Sequence, residues 1–375
     1  MSEERTPQVP TEQVPNEEGR PTRAVADSDP ALTPRGTPPA PPVRPRAGDE
    51  IHAFPETAVG EGDVRVPEGA QVVAGTSLWK DAWKRLLKNR LAVFGMIVVA
   101  IIAFASVLGP GIIKRATGFE YDTIPADSNL VRSFPPLTAP DGSFSWTHPM
   151  GTDSAGRDIL ARVLQGGRIS LAVGLISTLV SLIIGITWGA TAGYLGGKVD
   201  DLLMRIVDVL YAIPYMMIVI VLLAFFGGQS PLYQIFLLFA ALGAVSWLTM
   251  ARIVRGQVIS LKNQEFVLAA RATGVSTPKI IFRHLVPNAL GPVIVYATLT
   301  IPSVMLSEAF LSFLGLGVQA PYSSWGSLSS EGIQNIAIFP WQLIFPGVTM
   351  ALTLFSLNFL GDGLRDALDP QMRKF

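Results

Sequence analysis

From about residue 77 onward the chain alternates long apolar runs with short, mostly basic interruptions. Six runs approach the roughly 20 residues a helix needs to cross a bilayer: about 91–108, 169–195, 209–226, 232–251, 285–307 and 341–360. The pattern predicts an all-α polytopic membrane protein with six transmembrane helices between residues 91 and 375. Pro214, Pro292, Pro302 and Pro346 fall inside these runs. Membrane helices tolerate proline where a neighbouring helix or a cavity satisfies the freed backbone groups.

Two segments precede the first run. In SLWKDAWKRLLKNRLAVFG (77–95), Trp79, Trp83, Leu86 and Leu87 can share one helical face, with Lys80, Lys84, Arg85 and Lys88 around the other. That predicts an interfacial amphipathic helix over 76–90, aromatic at headgroup level. Residues 1–75 are rich in Pro, Glu, Asp, Gly and Arg, including TPPAPPVRPR. Such a stretch cannot bury enough apolar surface to offset the entropy of ordering, so a disordered, acidic, Pro-rich tail is expected. Its polar start has no apolar signal-peptide core.

Composition agrees with the pattern. The chain is 49% hydrophobic and only 15% charged, against about 25% charged residues in an ordinary soluble domain; mean hydropathy is +0.40. The formal net charge of zero conceals a division, since the first 75 residues lean acidic and the flanks of the apolar runs lean basic. The positive-inside rule then orients the spans. Lys80, Lys84, Arg85, Lys88 and Arg90 precede the first run; Arg252, Arg255, Lys262, Arg271, Lys279 and Arg283 lie between the fourth and fifth; Arg365, Arg373 and Lys374 end the chain. The opposite loops 227–231 and 315–340 contain no Lys or Arg. Against this, Lys114, Arg115, Arg132, Arg157, Arg162 and Arg168 lie in the loop of about 114–168, which this topology places outside. The balance predicts both termini in the cytoplasm.

The chain carries no visible motor. Zero cysteines and three scattered histidines (His52, His148, His284) argue against a disulfide framework or a metal cluster. GYLGGKVD (193–200) has the wrong glycine spacing for a phosphate loop and lacks the hydroxyl after its lysine. The span interiors are almost free of ionisable groups of the kind ion-driven carriers keep at mid-membrane, and no two matching halves are visible. There is no H-E-x-x-H, no G-x-S-x-G and no carboxylate pair within a span. No catalytic residue, resident cofactor or metal is expected.

The interruption of about 256–287, EFVLAARATGVSTPKIIFRHLVPN at its centre, therefore matters most. Residues 263–273 read as a helix that Gly274 ends in a left-handed conformation. Thr277 as N-cap and Pro278 at the first helical position restart a helix running to Pro287. A helix–turn–helix for a DNA groove is excluded in practice, because both helices are pinned at the bilayer. An interfacial hairpin without a partner remains an alternative. The small Ala269 and Ala270 and the angle set by Gly274 favour a knob gripped by a soluble cytoplasmic partner.

These residues resemble the EAA signature of ABC-importer permeases: AARATG, then HLVP about a dozen residues on. The resemblance puts Ala269, Ala270 and Gly274 at the signature positions, with Pro287 closing it, and implies a coupling helix docked in an ATPase groove through Glu265, Arg271 and their neighbours. Leu268 stands where the signature has Glu, and Val286 replaces the Leu before the proline. MGTDSAGRDILARVLQGGRISLAVG (150–174), GYLGGKVDDLLMRIVDVLYAIP (193–214), LSEAFLSFLGLGVQAPYSSWG (306–326) and LGDGLRDALDP (360–370) are similar to C-type permeases of dipeptide, oligopeptide and nickel importers. The family implies a homologous B-type permease, two ATPases that bind ATP and Mg²⁺, an extracytoplasmic solute-binding protein, a bacterial or archaeal cytoplasmic membrane, and no nucleic acid. Peptides are the expected cargo; nickel, glutathione-like or glycan cargo, and less so a membrane-tethered binding or signalling role, are the alternatives.

Four charged residues on the outer side have two readings. Glu308 is either a carboxylate capping the apolar turn 310–316 or a contact for cargo or binding protein. Asp153, Arg157 and Asp158 form either a local charge-assisted network or part of the pathway.

Overall fold

A computed structural model describes residues 78–125, 132–139, 141–228 and 230–368. The expected tail of 1–75 and the terminal cations Arg373 and Lys374 lie outside these residues. Among the described residues the fold is helical, its only β-bridges being the isolated pairs Thr138–Phe144 and Thr152–Asp158.

Helix α1 (Leu78–Lys88) meets α2 (Arg90–Thr117) at Asn89, whose side-chain oxygen accepts from the backbone N–H groups of Leu91 and Ala92 at 3.1 and 3.3 Å. The amphipathic face differs from the expectation. Ala82 and Leu86 are buried with Ala92 and Ala367, whereas Trp83 and Leu87 stay exposed on another edge. Leu86 thus anchors α1 to the bundle, and only part of the apolar face is left for lipid. That exposed edge continues down α2 through Leu91, Phe94, Ile97, Ile101 and Phe104. So long an uncovered apolar stripe suits a hydrocarbon environment, not water.

After the segment that follows α2 come α3 (Ile159–Leu195), α4 (Gly197–Ala212) and α5 (Tyr215–Phe226). The expected third span is the one clear departure from six uninterrupted helices. Ile213 is extended and Pro214 is non-helical, and α4 and α5 meet at 78°. Proline drives its predecessor out of the helical region, so the run breaks there. With 12 residues, α5 is about 18 Å long, short of a span by itself. Among the described residues five single helices are long and apolar enough to cross a membrane, six if the bent pair counts as one.

Helix α6 (Pro231–Leu261) leads into α7 (Glu265–Ala272), and α8 (Thr277–Phe313) returns into the bundle. α9 (Trp325–Ile333) and α10 (Trp341–Leu368) complete the fold. The tightest seam joins α3 to α6. Gly185, Gly189 and Gly193, one per turn, face Met250, Ala251 and the Arg255–Val258 turn, and a methyl on Gly193 would lie 2.8 Å from the Arg255 carbonyl oxygen. Small residues at this spacing let two backbones approach, the usual means of close packing where lipid removes the hydrophobic driving force.

Candidate functional site

The segment between α6 and α8 is a folded knob with two faces. Gly274 has φ +77°, and its N–H bonds the Arg271 carbonyl while that of Val275 bonds Ala270, both at 3.0 Å. This pair of bonds is the Schellman ending that glycine permits, as expected. The restart differs by one residue. Ser276 takes the cap position without a side-chain bond, and Thr277 is already helical, with Pro278 following. Ile280–Leu285 is then π-helical before the regular part of α8. Pro287 has no N–H for the Arg283 carbonyl, which accounts for a widened turn just before it.

The inner face of the knob is sealed. Val267, Ala270, Ile280, Ile281 and Leu285 are buried in one cluster with Ala190 of α3, Met250, Val254 and Val258 of α6, and Val293 and Ala297 of α8. Arg271 donates to the Tyr194 hydroxyl at 3.1 Å, its guanidinium 4.9 Å from the ring centre. The outer face carries Glu265, Leu268, Ala269, Gly274 and Pro287, with Phe266 and Phe282 also exposed. Of the two signature alanines only Ala269 faces outward. Ala270 is 7% exposed and turned into the cluster, so its small side chain serves internal packing. Leu268 is 49% exposed, an apolar group at the position the resemblance gives to a carboxylate.

The second feature is a cleft of about 500 Å³ at the broken span, between α4, α5, α6 and α8. Its polar lining is hydroxyl-bearing: Tyr211, Tyr215, Ser246, Thr249, Tyr296, Thr300, Ser303 and Ser307. No charged residue lines it. Tyr215 and Ser307 oxygens are 3.3 Å apart, joining α5 to α8 across the break. Sequence reasoning missed this surface, although a signal exists. Tyr296, Thr300, Ser303 and Ser307 recur at helical spacing in an apolar run, and Pro214 sits between two tyrosine-bearing turns.

Glu308, Asp153, Arg157 and Asp158 do not line that cleft. Asp153 accepts from Arg157 Nε at 2.7 Å and Arg162 Nη1 at 2.6 Å, and Arg162 also grips Glu331 bidentately at 2.7 and 3.0 Å. Asp158 caps α3 through the Ala161 N–H at 2.8 Å and pairs with His148 Nδ1 at 2.9 Å. These are the bonds of a local network that folds the 153–158 turn onto α3 and α9. Glu308 is 1% exposed. Its Oε1 accepts from Ser312 and Ser324, both at 2.6 Å, and Ser324 in turn caps α9. It holds the apolar turn 310–316 through Ser312 and fastens α9 to the end of α8 through Ser324. Among the described residues no group of three or more His, Asp or Glu side chains is placed to hold a metal ion.

Comparison with known proteins places these features. Residues 185–374 match the family model described as binding-protein-dependent transport system inner membrane component. Residues 77–136 match the N-terminal TM domain of oligopeptide transport permease C. The chain is 50% identical over 301 residues to the oligopeptide transport system permease protein OppC of Escherichia coli (strain K12), covering 80% of this chain and 94% of that protein. OppC of Haemophilus influenzae is 47% identical over 299 residues (80% and 90%). The dipeptide transport system permease protein DppC of Bacillus subtilis is 41% identical over 300 residues (80% and 87%).

Proposed function

Since the chain belongs to the family of binding-protein-dependent transport system inner membrane components, we propose that it forms half of an ATP-driven import pathway for di- or oligopeptides. In this reading a homologous permease supplies the other half, and two cytoplasmic ATPases bind the ATP and Mg²⁺. An extracytoplasmic binding protein delivers cargo, and both termini lie in the cytoplasm of a bacterial or archaeal cell. The peptide assignment rests on the names of the relatives; the mechanism rests on the two-faced knob.

The observation that carries the reading is the burial of the knob's inner face with its outer face left uncovered. Val267, Ala270, Ile281 and Leu285 lock the segment to α3, α6 and α8. A force on Glu265, Leu268, Ala269 or Gly274 therefore moves those helices with it and does not bend a loop. Because α6 and α8 also wall the cleft, displacement of the knob changes the wall past which cargo moves. The hydroxyl lining suits a cargo rich in amide groups and sets no charge preference on this side of the path. The buried positions of Glu308 and Arg162 fit structural roles better than cargo contact.

The test is reconstitution with the partner permease, ATPases and binding protein. Peptide-stimulated ATP hydrolysis and ATP-dependent peptide uptake are expected. Leu268→Lys with Phe282→Lys is expected to release the ATPases on purification while the two permeases stay paired. Uptake without ATP, or full ATPase retention by that variant, would count against the reading.

A further inference from the structure

The proposed function leaves open how movement of the knob reaches the break in the third span, and the charges near the cytoplasmic ends of the helices answer it. The chain is poor in charge, yet α6, the residue that caps it and α7 place three cations around one corner of the α3–α4 connection. Arg255 grips Asp200 bidentately, Nε to Oδ1 at 2.6 Å and Nη2 to Oδ2 at 2.7 Å. Lys262 donates to the Gly193 carbonyl and Arg271 to the Tyr194 hydroxyl, both at 3.1 Å. Two turns along α4, Asp208 accepts from Arg252 at 2.8 Å, and that guanidinium lies 4.3 Å from the ring centre of Tyr211.

Helix α4 has the build of a lever. At one end it leaves Gly196 and Gly197, with φ of +66° and +54°, values that favour glycine. At the other it ends in the extended Ile213 and the non-helical Pro214, where the chain turns by 78°. Its 16 residues make a rod of about 24 Å between two non-helical joints. Leu210 and Tyr211 at the far end line the cleft. The near end is fastened to α6, the helix that runs into the knob.

We propose that α4 is the lever that carries movement of the 265–287 knob to the cleft, and that Asp200 and Arg255 are the positioning residues that fasten it. The inference rests on the transport reading above. The two ion pairs differ in weight. The Asp208–Arg252 side chains are 62% and 41% exposed, and exposed pairs contribute little. Asp200 is 12% exposed and takes the guanidinium fork with both oxygens. That geometry fixes direction as well as distance, which a lysine's single point charge does not. The fastening stays closed through the cycle, since an opened clamp transmits no displacement.

The experiment uses the reconstituted complex and reads three quantities: ATPase retention, ATP hydrolysis and peptide uptake. Asp200→Asn and Arg255→Gln are expected to keep the ATPases and hydrolyse ATP, while uptake per ATP falls about tenfold, a typical size for coupling between two sites. The exchanged pair, Asp200→Arg with Arg255→Asp, is expected to recover much of the lost ratio. A merely structural pair would lower yield and both activities together, leaving the ratio unchanged. The protein has no cysteine, so Asp200→Cys with Arg255→Cys gives a specific second measurement. Closing that pair with a short bifunctional thiol reagent is expected to raise uptake per ATP, and a fall on cross-linking would overturn the closed clamp. A wild-type ratio in both single variants would overturn the lever while leaving the transport reading intact. Absence of ATP-driven uptake in the wild-type complex would overturn that reading itself.

Discussion

At the scale of single residues, conformation and burial assign different work to side chains that look alike in one dimension. Gly274 stands at φ +77° with open space where a side chain would begin. Replacing it costs about 1–2 kcal/mol in backbone strain but creates no internal clash, so any larger effect comes from outside the chain. Gly274→Asp is therefore expected to abolish uptake while membrane insertion and permease pairing persist. Wild-type uptake with normal ATPase co-purification would remove the knob from the coupling role. Arg162 is the opposite case, 3% exposed between Asp153 and Glu331. Arg162→Ala takes one of two cations from the buried Asp153 carboxylate, which keeps Arg157 Nε at 2.7 Å. The loss is therefore expected to stay below about 3–5 kcal/mol, the cost of a buried charge left wholly unpaired. Glu331, 52% exposed, can return to water, so most of that loss belongs to Asp153. Thermal unfolding in detergent should show a moderate loss for Arg162→Ala and a larger one when Arg157→Ala accompanies it, since only the double variant leaves Asp153 with no cation.

At the scale of elements, what was legible in the sequence is what local chemistry decides. The apolar runs marked the membrane helices because their length alone answers to the bilayer. Gly274 marked the end of α7 because a left-handed turn is a property of one residue. Ser276 took the cap position expected of Thr277, a one-residue shift of the kind helix ends commonly show. The break of the third span was not legible, because a proline inside a membrane run gives either a kink or a corner and its neighbours decide which. Asp200 with Arg255, and Glu308 with Ser324, were illegible for another reason: partners 55 and 16 residues apart meet only once the helices have packed. The glycine stripe of α3 was present in the sequence at a spacing of four and lacked only a facing helix. Gly189 lies against the backbone of Ala251, where nothing can yield without moving α6. Gly189→Leu is accordingly expected to prevent stable folding, seen as loss of monodisperse protein on purification. Gly111→Leu, at a glycine with open space around it, serves as the control.

At the scale of the whole molecule, the α3–α6 seam, the knob and the start of α8 share one buried cluster, and the cleft lies where that unit meets the broken α4–α5 pair. Energy is thus expected to enter on one side of this unit and cargo to move on the other, with no residue common to the exposed knob and the cleft lining. Such separation predicts that the two functions can be severed from the cleft side as well. Ser303 lies in the cleft, exposed, its hydroxyl satisfied by the Leu299 carbonyl at 3.3 Å. An indole there would occupy path volume without breaking a contact that holds the bundle. Ser303→Trp is expected to leave ATPase retention and basal hydrolysis near wild type and to block peptide uptake. Val348→Trp, on the exposed apolar surface of α10, is expected to change neither. The comparison controls for the general burden of a tryptophan in a membrane helix, because only the cleft position should separate hydrolysis from transport. Equal uptake by the two variants would place the cargo path elsewhere on the chain.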